Sequence, residues 1–257
     1  MSQQSPRELE GRTAVVTGSS SGIGRAIALE LARAGADVLV HARSSRQAAQ
    51  EAAEQIRGLG CQSHVVMADL ADAAAQEHLV GEAWQWRGGV DVWVNNAGAD
   101  VLTGEAAGWP FDRKLEQLWK VDVAGTIRVA RDVGARMKHR GSGAIINIGW
   151  DQAEHGMAGE SGELFAASKG AVMAFTRSLA RSLAPEVRVN CLAPGWIRTS
   201  WGSRASEYWQ RRAEEECLLG RWGTPDDVAG AARFLASPAA GFITGQVIAV
   251  NGGRRGS

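Results

Sequence analysis

The sequence has little tyrosine, little cysteine and no long apolar run. Tyr208 is its one tyrosine in 257 residues, against ten tryptophans and five phenylalanines. The cysteines Cys61, Cys191 and Cys217 form no CxxC pair, which excludes a disulfide framework or a zinc module and predicts a reducing, cytoplasmic location. No apolar stretch is long enough to cross a bilayer, and the polar start lacks the apolar core of a signal peptide.

The chain also has no net charge, because 28 basic side chains balance 28 acidic ones. A neutral chain has no global attraction to nucleic acid or to an anionic membrane. A hydrophobic share of 45% beside a charged share of 22% is typical of a folded protein and excludes a disordered chain. We therefore expect a small-molecule partner, with no nucleic acid, no membrane and no metal site.

Short β-rich runs alternate along the chain with longer helical stretches. The pattern predicts strands at residues 13–17, 37–41, 64–67, 91–94, 143–148, 186–191 and 246–250. It predicts helices at residues 22–34, 46–57, 72–86, 112–139, 162–183 and 225–236. Strands with so little polar alternation belong to a parallel sheet that is covered on both faces. The predicted fold class is α/β, a single-domain doubly wound parallel sheet over residues 11–257, after a loose tail of residues 1–10.

Two segments without a clear pattern, residues 99–111 and 200–219, follow predicted strands. Both are therefore expected at the carboxyl edge of the sheet, where doubly wound folds bind their ligands. This placement makes the carboxyl edge the predicted site of function.

A glycine-rich turn, TGSSSGIG over residues 17–24, joins the first predicted strand to the first helix. Glycine lets the backbone approach a diphosphate closely, and the amides at a helix N-terminus attract that anion. An ordinary turn also uses glycine, but the position directly after the first strand favours a dinucleotide-binding loop.

Three further motifs each follow a predicted strand: Asp69-Leu70, the NNAG of residues 95–98 and the PGWIRT of residues 194–199. With TGxxxGxG they resemble the short-chain dehydrogenase/reductase family over nearly the whole chain, although Asn251 stands where an aspartate is more usual. The resemblance implies a Rossmann fold, a nicotinamide cofactor and a homodimer or homotetramer. The cofactor-binding residues that it implies are Gly18, Ser20, Ser21, Gly22, Ile23, Gly24, Arg43, Ser44, Asp69, Leu70, Asn96, Ala97, Gly98, Lys169, Pro194, Gly195, Ile197 and Thr199.

The end of the second predicted strand bears on the choice of nicotinamide cofactor. An acid there would accept hydrogen bonds from the adenosine ribose and repel a 2′-phosphate. The segment 40–46 reads VHARSSR and contains no acid, whereas Arg43 and Ser44 are donors for a phosphate. Arg43 could equally be a solvated surface arginine, and His41 is expected to pack at the strand end. The sequence favours NADP(H) over NAD(H).

The catalytic positions depart from the family's pattern, in which a tyrosine is the general acid/base, aided by lysine, serine and asparagine. The lysine is Lys169, but the tyrosine position is Phe165, and a phenyl ring has no proton to exchange. The asparagine position holds Asp122, which could form an ion pair with Lys169. Counting forward from Asn147 puts Trp150 at the serine position, and counting back from Phe165 gives Gln152 there instead.

Proton-active side chains gather in residues 151–163. A carboxylate in a closed site can have a raised pKa and act as an acid near neutrality, and histidine needs little change to do so. We predict Asp151 as the proton donor, then His155, then Glu163. The alternative is a solvated acidic loop.

The substrate pocket is predicted from aromatic residues in and beside a lid around residues 196–219. Its members are Trp150, Phe165, Trp196, Trp201 and Tyr208. Flat rings suit an apolar or aromatic substrate, although packing within the lid or against a neighbouring subunit is an equal alternative.

Three functions fit these residues. The leading one is an NADP(H)-dependent oxidoreductase that acts on a carbonyl, an alcohol or a related C=X group with an atypical proton donor. The second is non-redox chemistry on the same fold, such as elimination or isomerisation. The third is an NADP(H)-binding protein without catalysis.

Overall fold

The computed structural model describes residues 7–200 and 202–255, and within them seven strands form one parallel sheet. The strands are β1 (Thr13–Val16), β2 (Asp37–Ala42), β3 (Ser63–Met67), β4 (Val92–Asn95), β5 (Gly143–Ile148), β6 (Val187–Pro194) and β7 (Val247–Val250). Their order is β3-β2-β1-β4-β5-β6-β7 and every pairing is parallel. This order confirms the predicted doubly wound α/β sheet.

Helices cover both faces of the sheet. They are α1 (Gly22–Arg33), α2 (Arg46–Gly58), α3 (Ala73–Arg87), α4 (Phe111–Leu118), α5 (Thr126–Arg140), α6 (Gln152–His155), α7 (Glu160–Leu183), α8 (Glu207–Glu216) and α9 (Pro225–Ala236). Helices α1, α2 and α9 share one apolar cluster with the sheet, and α3, α5 and α7 share the other. In the described ranges no helix combines the length and the apolar character needed to cross a membrane.

Successive residues of the central strands supply the two apolar clusters in turn. In β4, Val92 and Val94 belong to one cluster and Trp93 to the other. Because side chains alternate across a strand, a sheet covered on both faces needs apolar residues at every position. This requirement explains why these strands are apolar runs without polar alternation.

A chain of buried hydrogen bonds fixes α7 against the sheet. Asn95 Nδ2 donates to Asn147 Oδ1 at 2.9 Å, and Asn147 Nδ2 donates to Thr176 Oγ1 at 2.9 Å. The Trp93 indole N–H donates to Asn95 Oδ1 at 2.8 Å, so the buried amides are paired. The contact orients the helix that carries Phe165 and Lys169.

Two predicted segments have a different structure. The long helix expected over residues 112–139 is interrupted by a π-helical turn, Trp119–Gly125, between α4 and α5. The segment expected to be irregular over residues 200–219 contains α8, whose one buried residue is Ala213. A helix with so little apolar surface leaves no periodic stripe in the sequence, which is why the pattern missed it.

The first described residues pack on the sheet domain. Leu9 is buried, its amide donates to Ala34 O at 2.8 Å, and Glu8 forms an ion pair with Arg233 at 2.8 Å. The loose tail predicted over residues 1–10 is therefore wrong for residues 7–10, because Leu9 supplies an apolar anchor. Residues 1–6 lie outside the described part.

Candidate functional site

A cleft of about 580 Å³ opens at the carboxyl edge of the sheet, beside the ends of β1 and β4. The order of the strands reverses between β1 and β4, and doubly wound sheets usually bind their ligands beside such a reversal. The cleft brings together most of the predicted cofactor residues, namely Gly18, Ser20, Ser21, Gly22, Ile23, Gly24, Arg43, Ser44, Asp69, Leu70, Asn96, Ala97, Gly98 and Thr199.

The loop after β1 requires glycine at two positions. Gly18 has a φ of +64°, and a Cβ there would lie 2.9 Å from Ala97 Cα. A Cβ on Gly24 would lie 2.3 Å from Gly18 O. Ser21 at the N-terminus of α1 makes no side-chain cap, so the first amides of the helix are open to a ligand. This cradle fits a diphosphate.

Side chains tie this loop to its neighbours. The Gly18 N–H donates to His41 Nδ1 at 3.0 Å, and His41 Nε2 donates to Ala68 O at 3.0 Å. Burial lowers the pKa of His41 to about 4, so the ring is neutral near pH 7 and can accept from Gly18. Asn96 Nδ2 donates to Thr17 O at 2.9 Å. His41 thus links the carboxyl ends of β1, β2 and β3.

One end of the cleft is polar and basic. Arg43 and Ser44 line it, both side chains are exposed, and Arg43 has no carboxylate partner in the described residues. Asp69 is exposed and accepts a hydrogen bond from the Ala71 amide at 2.9 Å. This end therefore offers a free guanidinium and a hydroxyl.

A second cavity of about 540 Å³ adjoins the cleft and shares Ile23, Asn96 and Thr199 with it. The remaining predicted cofactor residues line this cavity, namely Lys169, Pro194, Gly195 and Ile197. Its other walls are mainly apolar and come from Leu102, Ile148, Trp150, Met157, Phe165, Trp196 and Trp209. The two spaces together form one long site.

Lys169 and Asp122 form an ion pair at the inner wall of this cavity. Lys169 Nζ lies 2.9 Å from Asp122 Oδ2, and the Asp122 side chain is 1% exposed. The π-helical turn places Asp122 there, and Asp122 Oδ1 accepts from the Ala99 amide at 2.8 Å. Turns of this kind are frequent at functional sites.

Aromatic rings line the same cavity as Lys169. Phe165 lies one helical turn before it on α7, and Trp150 packs edge to face with Phe165 at a centroid distance of 6.2 Å. Ser161 lines the cavity one further turn back. The predicted pocket residues Trp150, Phe165 and Trp196 thus come together.

The family model described as enoyl-(acyl carrier protein) reductase matches residues 18–255. The chain belongs to the short-chain dehydrogenase/reductase family of oxidoreductases. It is 36% identical to 3-oxoacyl-[acyl-carrier-protein] reductase FabG of Aquifex aeolicus over 252 residues, which are 96% of this chain and 98% of that one.

Solved structures of the family superpose closely on this chain. A short-chain dehydrogenase from Burkholderia cenocepacia in complex with NADP has a TM-score of 0.86 and 32% identity, over 96% of this chain and 98% of that one. A 7α-hydroxysteroid dehydrogenase complexed with NADH and 7-oxo glycochenodeoxycholic acid has a TM-score of 0.88 and 30% identity, over 99% and 98%. These likenesses cover both the cleft and the cavity.

Asp151, the residue predicted first as proton donor, does not line the cavity. Its amide donates to Pro194 O at 3.1 Å, and its Oδ2 accepts from Asn251 Nδ2 at 3.2 Å. The side chain is 7% exposed, and burial raises its pKa. Asp151 is the N-cap residue of α6, and its carboxyl group lies beside Asn251 and close to Gly195, where a Cβ would come within 3.2 Å of Asp151 Oδ2.

Other predicted residues also lie apart from the cavity. His155 and Glu163 are exposed and do not line it. Tyr208 is 58% exposed and packs on Trp209 rather than on the cavity. Trp201 lies outside the described residues.

Gln152, in the segment 151–163, contacts the lid helix α8 through Glu216. Glu216 accepts hydrogen bonds from the Trp196 indole at 2.8 Å and from Arg212 at 2.6 Å. Gln152 Nε2 donates to the same carboxylate at 3.4 Å, and Arg254 donates to Gln152 Oε1 at 3.1 Å. Gln152 and Trp150 are the two alternatives for the family's serine position. Gln152 contacts the lid, whereas Trp150 lines the cavity.

Two kinds of cavity residue were not predicted from the sequence. Ser161 stands four positions before Phe165 and eight before Lys169, a spacing that puts all three on one face of a helix. That spacing could have revealed it. Leu102 and Met157 come from loops, whose approach to the cavity has no local signal.

Proposed function

We propose that this chain binds NADP(H) and uses it as an oxidoreductase on a small apolar or aromatic substrate with a carbonyl, alcohol or related C=X group. The observation that carries the proposal is the joined site. A glycine-lined cleft with a free arginine leads into an aromatic cavity that holds Lys169.

The cofactor contacts follow from the cleft. The glycine loop and the N-terminus of α1 would hold the diphosphate. Arg43 and Ser44 would hold a ribose 2′-phosphate, and no acid at the end of β2 opposes it. Lys169 and the segment 194–199 would hold the nicotinamide riboside. The bound cofactor supplies or accepts a hydride.

The cavity would position the substrate chiefly by burial against its rings. Lys169 is the one ionisable side chain among the described residues that line it. Asp151 and His155 lie outside it, so neither is placed to exchange a proton with a substrate in the cavity.

Equilibrium titration of the natural chain with NADPH and NADH, followed by tryptophan fluorescence, tests the cofactor choice. We expect NADPH to bind at least about tenfold more tightly, since a charge-assisted contact contributes about 1.5–3 kcal/mol. Arg43→Glu should abolish this preference. The matched control Arg46→Glu changes a neighbouring arginine outside the cleft and should preserve it. Equal affinity for both cofactors would refute the NADP(H) choice.

A second candidate function is NADP(H) binding without turnover, and Phe165 favours it because the ring cannot exchange a proton. This candidate predicts tight NADPH binding and no absorbance change with any member of a carbonyl panel. Turnover of any panel member would exclude it.

We also propose a homodimer or homotetramer built on α5 and α7. Small residues of α7, namely Ala166, Ala167, Gly170, Ala171 and Ala174, remain at least partly exposed in the single chain. Small side chains permit close approach across a two-fold axis. Light scattering should give twice or four times the chain mass, and Ala174→Arg should reduce it. A monomeric natural chain would contradict this.

A further inference from the structure

The described residues that line the substrate cavity include no carboxylic acid, histidine, cysteine or tyrosine that would neutralise the product of carbonyl reduction, and their hydroxyls, Ser161 and Thr199, are weak acids. Hydride addition to a ketone leaves an alkoxide, which must take up a proton. Phe165 and Trp150 stand where a donor would be needed, and neither ring has an exchangeable acidic proton at neutral pH. The ionisable Lys169 is engaged with Asp122 at 2.9 Å.

A C=N⁺ group removes this requirement. Hydride addition to an iminium carbon forms the C–H bond, and the C=N π electron pair moves onto nitrogen. The product is a neutral amine, the reductant is the dihydronicotinamide, and no proton is transferred. We propose that the substrate of this site is an aromatic iminium cation. This inference rests on the proposed function and narrows its C=X class.

The cavity walls suit a flat cation. A cation is attracted to the face of an aromatic ring, most strongly to an indole. Trp150 and Phe165 form one aromatic pair of the wall, and Trp196 and Trp209 form another at 5.5 Å. The second pair already attracts a cation on the lid, because the Arg212 guanidinium lies 5.1 Å from the Trp209 ring centroid.

The charge at the inner wall points the same way. Lys169 alone would repel a cationic substrate, but the Asp122 carboxylate balances it. The asparagine that the family pattern expects at this position would leave the lysine charge unbalanced. Asp122 is therefore a specificity-determining residue in this proposal, and an aspartate there admits a cation.

The binding test compares two molecules of the same shape. The cation is 2-methyl-3,4-dihydroisoquinolinium, and its uncharged carbocyclic isostere is 3-methyl-1,2-dihydronaphthalene. Calorimetric titration in the presence of NADP⁺ excludes turnover. We expect the natural chain to bind the cation at least about tenfold more tightly. Asp122→Asn, which keeps an oxygen for the Ala99 amide, should remove that difference without weakening the isostere.

The matched control is Asp132→Asn, which alters an exposed aspartate on α5 that pairs with Arg136. It should leave both affinities unchanged. Equal affinity of the natural chain for cation and isostere would overturn the proposal, as would an Asp122→Asn variant that still prefers the cation.

The reaction test follows NADPH oxidation by the same cation and by 1-tetralone. We expect the cation to be reduced at a rate that is flat between about pH 6 and 8, because no protein acid takes part. The ketone should react at least about 100-fold more slowly. Reduction of the ketone but not the cation would overturn this inference and leave the proposed oxidoreductase standing. No NADPH binding would overturn both, and NADPH binding without reduction of either would overturn the inference in favour of a binding protein.

Discussion

The cleft and the cavity meet at Asn96 and Thr199 but are built in different ways. The cleft is shaped by backbone, and its critical positions are glycines that a single Cβ would block. The cavity is shaped by side chains from α1, α7 and α8 and from the segments that follow β4, β5 and β6. A nucleotide-binding frame therefore limits backbone geometry, whereas the groups around the reacting atoms can be exchanged without altering that frame.

The largest expected effect comes from filling the backbone cradle. Gly24→Ala places a Cβ 2.3 Å from Gly18 O, so the loop must shift. We expect about 3 kcal/mol of destabilisation and at least a 100-fold loss of NADPH affinity, measured by denaturant unfolding and by titration. Gly81→Ala in α3 meets nothing within 4 Å and should leave NADPH affinity unchanged. Unchanged affinity in Gly24→Ala would contradict a backbone-limited cleft.

Breaking the cavity's ion pair should have the next largest effect. Asp122→Ala leaves the Lys169 charge without a partner and should destabilise the fold by about 3 kcal/mol in chemical unfolding. The double variant Asp122→Ala with Lys169→Met removes both charges and should be more stable than Asp122→Ala alone. If the effects of the two substitutions on the free energy of unfolding are simply additive, the ion pair contributes nothing to stability.

Acid should lower the free energy of unfolding through protonation of His41. The pKa of His41 falls from 6.5 to about 4 on folding, so between these values the unfolded chain holds a proton that the folded chain lacks. Stability therefore falls as the pH drops, by about 2 kcal/mol between about pH 6.5 and 5.

The variant His41→Gln isolates this contribution from other titrating groups. Unfolding curves across the same pH window should show a smaller slope for the variant than for the natural chain. Equal slopes would mean that burial does not shift the pKa of His41.

The smallest effect is expected at the lid. Glu216→Gln weakens the contacts to Trp196 and Arg212 and should cost about 1 kcal/mol. Because α8 covers the cavity and not the cleft, substrate KM should rise while NADPH affinity stays the same. Glu215→Gln, an exposed neighbour, is the control. A loss of NADPH affinity in Glu216→Gln would break the separation of cleft and cavity.

The parallel sheet and the cleft were predictable because their signals are local. Each cofactor motif sits at the end of a strand, and parallel strands bring those ends to one edge. The glycine loop, residues 17–24, was predictable because the close backbone contacts of this turn require the glycines that its sequence contains. Lys169 and Phe165 were predicted from the family's spacing of four positions between tyrosine and lysine, which places both on one face of a helix.

The orientation of single side chains was not predictable. Asp151 and Trp150 are adjacent, yet the Asp151 carboxyl accepts from Asn251 and Trp150 lines the cavity. The short helix α6 decides which way each points, and its four residues have no distinctive pattern. The role of Glu216 depends on Trp196 and Gln152, which meet it only in the folded chain.

Reduction of a neutral aromatic ketone tests most directly whether the cofactor frame is complete while the proton donor is missing. Single-turnover NADPH oxidation by 1-tetralone is compared between the natural chain and the double variant Phe165→Tyr with Trp150→Ser. Equal NADPH affinity and a rate at least about 100-fold higher in the double variant are predicted, since a positioned acid contributes about 10²–10⁴ in rate. A natural chain that already reduces the ketone as fast as the double variant would show that the cavity has an effective proton donor.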